Sequence, residues 1–226
     1  MSGKNSIIVD DDADLDEAAQ ATMASAFGFS GQNCTACSHV IVVGSVYAAL
    51  LEKLIDASSA IRPGPADSPA TTVGPLINAK AVASAKSVVD SCMGDAKCVL
   101  PMKFPQHPDE GFFVSPAIFA DVTADAAIAR EECMAPVLGV MRAGSFDEAV
   151  AIANRSTNAH WVGVYSRSPR NIEFAKRRLR SGNVQINRKI TLSRVGRRPV
   201  GVFGRSEKRD SWKLEIYQSQ MAEQQG

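Results

Sequence analysis

Apolar and polar positions change rhythm repeatedly along the chain, and each change predicts an element. Ser6-Ile7-Ile8-Val9 is a short β-branched run halted by Asp10-Asp11-Asp12, which reads as a buried strand. Asp14 suits a helix cap, and Ala18, Ala19, Met23 and Phe27 recur at helical spacing until Gly28-Phe29-Ser30-Gly31-Gln32 breaks the period. A strand is predicted over 38–43 and a helix over 46–57, with Ala49, Leu50 and Leu54 on one face. Ile61 to Pro69 reads as a surface loop, and Ala81, Ala85, Val88 and Val89 are in phase for a helix over 79–89. Residues 94–111 show little periodicity and read as mostly irregular. Strands follow at 117–122, 137–141, 161–165 and 184–187. Between them, one helix starts at Phe146 and ends before Arg155, and another spans 169–180, closed by Ser181-Gly182. Alternating strands and helices without a repeat predict an α/β layer sandwich with parallel pairing.

Composition narrows the class. With 226 residues, 45% hydrophobic and 22% charged, the chain matches a folded globular protein and excludes wholesale disorder. No apolar run approaches the roughly 18 residues of a membrane span, and Met1-Ser2-Gly3-Lys4-Asn5 lacks a signal-peptide core. Five cysteines, an odd number without small-scaffold spacing, favour reduced thiols over a disulfide framework. The default reading is a soluble cytoplasmic protein. Charge is uneven: residues 1–175 hold 12 basic and 20 acidic side chains, whereas residues 176–226 hold 13 basic and 4 acidic. The basic end has few aromatics and no nucleic-acid motif, so an anionic small molecule or acidic partner face suits it better than nucleic acid.

The chemical candidate is Cys34, in Gly31-Gln32-Asn33-Cys34-Thr35-Ala36-Cys37-Ser38-His39. A glycine-bearing break between a helix and a strand can expose a thiolate nucleophile on a fixed loop. Cys34, Cys37 and His39 also have the spacing of a weak zinc signal, and two half-buried small hydrophobes are the bland alternative. A thioredoxin-type pair fits worse, because its cysteines open a helix and these enter a strand.

A set of words in fixed order adds a resemblance that shifts the balance toward the nucleophile. Gly3-Lys4-Asn5, Ile7-Ile8-Val9-Asp10, Ala13-Asp14-Leu15-Asp16 and Gly31-Gln32-x-Cys34 resemble the second half of an aldehyde dehydrogenase. Phe119-Ala120-Asp121-Val122, Ile128-Ala129-Arg130-Glu131-Glu132, Ala135-Pro136-Val137-Leu138 and Phe146-Asp147-Glu148-Ala149 continue the resemblance. Gly182-Asn183-Val184, Ile186 to Thr191 and Val195-Gly196-Arg197-Arg198-Pro199 are similar to the pyrroline-5-carboxylate dehydrogenase branch, which oxidises L-glutamate γ-semialdehyde with NAD. The resemblance implies a three-layer catalytic domain over 1–212 and an oligomerisation strand with a frayed tail over 213–226. It implies Cys34 as the nucleophile and Glu132 as the carboxylate on the nicotinamide ribose. Met134 takes the place of the family's nicotinamide-packing phenylalanine. Thr191, Ser193 and Gly196 fall on the loop that anchors the substrate's amino-acid end. NAD, a small aldehyde, and a homo-oligomer or an intact homologous subunit are the implied cofactor, substrate and partner.

The family's general-base glutamate, its oxyanion asparagine and its Rossmann half precede the Gly3-Lys4 word, so the 226 residues alone are expected to be incomplete and inactive. Several words have drifted: Cys133-Met134-Ala135 stands for Ile-Phe-Gly, Leu192-Ser193 for Gly-Ala, and Pro199-Val200-Gly201-Val202 for Pro-Phe-Gly-Gly. The alternative is a non-catalytic remnant that docks on active relatives. A mitochondrial matrix location is the second option if a targeting segment lies upstream.

Overall fold

Residues 3–104, 111–131, 133–156 and 159–191 are described by the computed structural model. Seven strands form one sheet: β1 (Asn5–Val9), β2 (Cys37–Val43), β3 (Lys97–Leu100), β4 (Ala117–Ala120), β5 (Val137–Ala143), β6 (Trp161–Tyr165) and β7 (Asn183–Ile186). Their spatial order is β3-β4-β5-β2-β1-β6-β7. The helices are α1 (Leu15–Phe27), α2 (Tyr47–Ser59), α3 (Ala79–Asp95), α4 (Ala127–Arg130), α5 (Phe146–Ala153) and α6 (Pro169–Arg178).

The pleat sorts neighbouring apolar residues into two cores. Ile7, Val9, Val40 and Val42 pack with Ala18, Phe27, Leu50 and Leu54 of α1 and α2. Ile8, Ile41 and Val43 turn to the other face, against Ala85, Val88 and Cys92 of α3 and Phe146, Ala149 and Val150 of α5. Burial on both faces explains why Val40 to Val43 runs apolar without alternation. The result is the expected three-layer α/β sandwich. Asp14 caps α1 as its type predicts, accepting from the Asp16 and Glu17 amides, and Ser168 caps α6 through the Asn171 amide.

Four expectations need correction. Pairing is not uniformly parallel, because β3 runs antiparallel to β4 at the sheet edge. Residues 94–104 are correspondingly less irregular than predicted: α3 continues to Asp95 and β3 follows it. A four-residue edge strand with an exposed Lys97 carries too little pattern to announce itself; its partner β4 creates it. Helix α6 stops at Arg178 rather than at a Ser181-Gly182 cap, and Leu179 already has extended backbone at ψ 133°. The Asn154 side chain fixes this end, donating to the Arg178 carbonyl (2.9 Å) and accepting from the Arg180 amide (2.7 Å). Strand β4 ends at Ala120, because Asp121 takes a left-handed φ of 55° with its amide on the Tyr47 hydroxyl (2.8 Å). The short helix α4 has no periodic signature in the sequence. The boundary expected at 212 and the strand expected beyond 213 lie outside the described residues.

Candidate active site

Cys34 stands immediately before β2, at the edge where β1, β2 and β6 begin. Open α/β sheets commonly hold ligands at the carboxyl ends of their strands, where connections diverge. Here connections diverge at β1, and its carboxyl end carries Asp10, Asp11 and Asp12. Asp10 is buried there, accepting from Ser166 Oγ and Asn171 Nδ2 (2.7 Å each). Cys34 occupies the opposite edge.

The loop bearing Cys34 is held from three directions. Helix α1 ends into a tight turn, Gly28–Gly31, in which Phe29, Ser30 and Gly31 all have left-handed φ (53°, 59° and 70°). Two non-glycine residues in that region cost about 1–2 kcal/mol each. Hydrogen bonds offset the cost: Ser30 Oγ donates to the Gly74 carbonyl (2.7 Å), Gln32 Nε2 donates to the Pro75 carbonyl (3.2 Å), and Gln32 Oε1 accepts from the Ile77 amide (2.8 Å). Gly31 lies against Ala135 so closely that a β-carbon would be 2.3 Å from the Ala135 carbonyl oxygen. From the third side, buried Asn5 donates to the Cys34 carbonyl (2.9 Å) and the Ala36 carbonyl (3.1 Å). Asn33 shapes the loop internally, its side chain accepting from the Thr35 amide and hydroxyl (3.0 Å each).

The two cysteines of the C-x-x-C word meet opposite fates. Cys34 is exposed and free. Cys37 is buried, its thiol donating to the His39 carbonyl (3.3 Å), and burial pushes its pKa up to about 12. His39 is buried as well; burial, with Lys4 nearby, lowers its pKa to about 3, so the ring is neutral. The register slips between them, Asn5 pairing with Cys37 and Ser6 with His39. Among the described residues, the side chains that converge enough to share a cation are Asp10, Asp11 and Asp12, not Cys34, Cys37 and His39. The zinc alternative therefore finds no support in the geometry.

Of the other expected site residues, Met134 is 40% exposed, on the segment whose Ala135 meets Gly31. The structure thus brings the Cys34 loop and the 133–136 segment into contact. Lys4 Nζ donates to the Ile128 carbonyl (2.6 Å), tying the start of β1 to α4 just ahead of that segment. Thr191 is buried and follows Ile190, which packs over Ile7 and Gly163 and donates its amide to Ser25 Oγ (3.2 Å). Glu132, Ser193 and Gly196 lie outside the described residues. Sequence reasoning missed Asn5, Ser25 and the meeting of Gly31 with Ala135. A lone amide heading an apolar strand was the available signal for Asn5; Ser25 and Ala135 carry none.

The chain thus presents an exposed cysteine on a tightly hydrogen-bonded loop at the head of its sheet, beside a segment that displays Met134. A model of the aldehyde dehydrogenase family matches residues 1–216, and the chain belongs to that family. Within it, the chain is 37% identical over 206 residues to 1-pyrroline-5-carboxylate dehydrogenase of Geobacillus thermodenitrificans, covering 91% of this chain and 40% of that protein. The solved 1-pyrroline-5-carboxylate dehydrogenase from Thermus with bound NAD superposes with a TM-score of 0.86 at 37% identity, over 90% of this chain and 39% of that one. Proline utilization A from Bdellovibrio bacteriovorus, inactivated by N-propargylglycine, gives 0.87 at 39% identity, over 96% of this chain and 23% of that one. The chain thus spans about 40% of the length of the curated relatives it matches.

Proposed function

We propose that these residues form the catalytic-domain portion of an NAD-dependent dehydrogenase for L-glutamate γ-semialdehyde. The observation carrying the proposal is the exposure of Cys34 on a loop fixed against the 133–136 segment. Cys34 Sγ gives its proton to water and, as the thiolate, adds to the aldehyde carbon; the carbonyl electron pair moves to oxygen, and the Cys34 backbone N–H donates to that oxyanion. Met134 fits a cofactor role, since an exposed apolar side chain beside the nucleophile loop offers a surface for a flat ring. Glu132 would hold the nicotinamide ribose, and Thr191, Ser193 and Gly196 the substrate's α-carboxylate. NAD, when bound, supplies the hydride acceptor that lets the adduct become a thioester. The domain spans 1–212, and residues 213–226 pair with another subunit. The Geobacillus and Thermus relatives are named for 1-pyrroline-5-carboxylate, a cyclic imine that water opens to L-glutamate γ-semialdehyde, and this, together with the coverage of this chain, supports the choice.

A polypeptide of these 226 residues alone is expected not to turn over. The test combines it with the amino-terminal remainder of the Geobacillus relative and follows NAD reduction with L-glutamate γ-semialdehyde. Turnover that vanishes with Cys34→Ala supports the proposal. A folded, associated mixture without turnover refutes it and favours a non-catalytic partner of active subunits.

A further inference from the structure

We infer that Asn5 is the positioning residue for Cys34, an inference that rests on the reading of Cys34 as nucleophile. Asn5 is completely buried, and both ends of its side chain are used. Its Nδ2 donates to the carbonyls of Cys34 (2.9 Å) and Ala36 (3.1 Å). Its Oδ1 accepts from the amides of His160 (3.1 Å) and Trp161 (2.9 Å). One side chain therefore joins the nucleophile loop to the first residue of β6.

The sheet itself explains why a side chain is needed there. The β1–β2 register slips between Asn5 and Ser6, and the β1–β6 ladder begins only at Ser6 and Val162. At this corner the Asn5 amide makes the bonds that a regular ladder makes elsewhere. An amide alone combines two donors with an acceptor at this reach. A carboxylate would set negative charge against two carbonyl oxygens, and a hydroxyl is too short. Ser30 and Gln32 fix the loop before Cys34, whereas Asn5 fixes the peptide that follows it. Holding the Cys34 carbonyl restricts the cysteine's backbone, and with it the directions of Sγ and of the N–H assigned to the oxyanion. Asn5 touches no reacting atom.

The test uses the full chain and iodoacetamide, with the modification rate of each cysteine followed by mass spectrometry from pH 6 to pH 10. Wild type is compared with Asn5→Asp, Asn5→Ala and Val164→Ala, the last a mid-strand core truncation that leaves the loop bonds intact. At this completely buried position desolvation holds the introduced carboxyl well above the usual carboxylate range; it can donate to one carbonyl when protonated and repels both when ionised. Cys34 in Asn5→Asp should therefore show a second inflection absent from wild type. Its rate above that inflection should differ from wild type by about three- to tenfold, within the hundredfold that an ångström of misplacement can cost. Asn5→Ala should change the rate at every pH without a new inflection, and Val164→Ala should leave the Cys34 profile unchanged. Rapid labelling of buried Cys37 flags any variant that has unfolded; protonated Asn5→Asp, which keeps a donor, then supplies the folded comparison. Superimposable Cys34 profiles in wild type and the folded Asn5 variants overturn the inference, even if stability falls. The assay uses neither NAD nor aldehyde. Shifted profiles without turnover sink the dehydrogenase reading alone, and unshifted profiles with turnover sink the positioning role alone.

Discussion

Gly31→Ala tests whether the meeting of two loops holds the site together. An alanine β-carbon there would lie 2.3 Å from the Ala135 carbonyl oxygen and 2.5 Å from its carbon. Reaching even a 3.0 Å separation requires the two backbones to part by about 0.7 Å, and neither is a flexible side chain that can swing aside. Alanine at a φ of +70° adds about 1–2 kcal/mol of its own. Together with about 1–3 kcal/mol for overpacking, the expected loss is about 2–5 kcal/mol in urea unfolding. Gly28→Ala is the control, with φ −55° and nothing within 4 Å of the added carbon; it should stay within about 0.5 kcal/mol of wild type. In Gly31→Ala the modification rate of Cys34 should also change. Gly31→Ala within about 0.5 kcal/mol of wild type, with Cys34 labelling unaltered, would refute the claim that this contact is tight.

Further outcomes follow from burial and hydrogen bonding. His39 is neutral in the fold because its pKa falls to about 3, whereas the unfolded chain protonates it near 6.5, so stability is lost as pH drops below 6.5. His39 shares a cavity of about 300 Å³ with Lys4, Asp125, Arg130 and Arg155, and His39→Gln should remove about 1.4 kcal/mol per pH unit from the urea-derived slope between pH 6 and pH 4. Cys37, raised to about 12 from 9.0, acts at the other extreme: its proton stays bound in the fold, so stability declines as pH climbs above 9. At pH 8, iodoacetamide should modify Cys34 in the folded chain and leave Cys37 intact until denaturant is added. Ser25→Ala removes the acceptor for the Ile190 amide and should cost about 1 kcal/mol while speeding amide exchange at Ile190.

The sequence made the frame legible where burial is two-sided. Runs such as Ile7-Ile8-Val9 and Val40 to Val43 admit few alternatives to central strands, and Asp14 and Ser168 cap helices through local chemistry. It was silent where structure depends on distant partners. β3 exists through β4, α6 ends through the Asn154 side chain, and Asp121 turns aside under the Tyr47 hydroxyl. That Cys34 sits on a loop was readable, and the exposure of Cys34 against the burial of Cys37 distinguishes the two in a way spacing cannot. Placement at the amino ends of the strands was not readable, since it follows from strand order rather than from any residue.

The central strand also governs how this chain comes into being. Of the seven strands β1 is made first, yet its two neighbours are β2 and, far along the chain, β6: Ser6 to Val9 pair with residues 162–165. During synthesis one edge of β1 stays open until about 150 further residues have been made, on the order of 10 s at typical elongation rates. An apolar strand with a free edge is the species that aggregates or recruits a chaperone. The Asn5 bonds to His160 and Trp161 close in that same late event. The Cys34 loop thus gains its Asn5 anchorage only when the gap between β1 and β6 is filled.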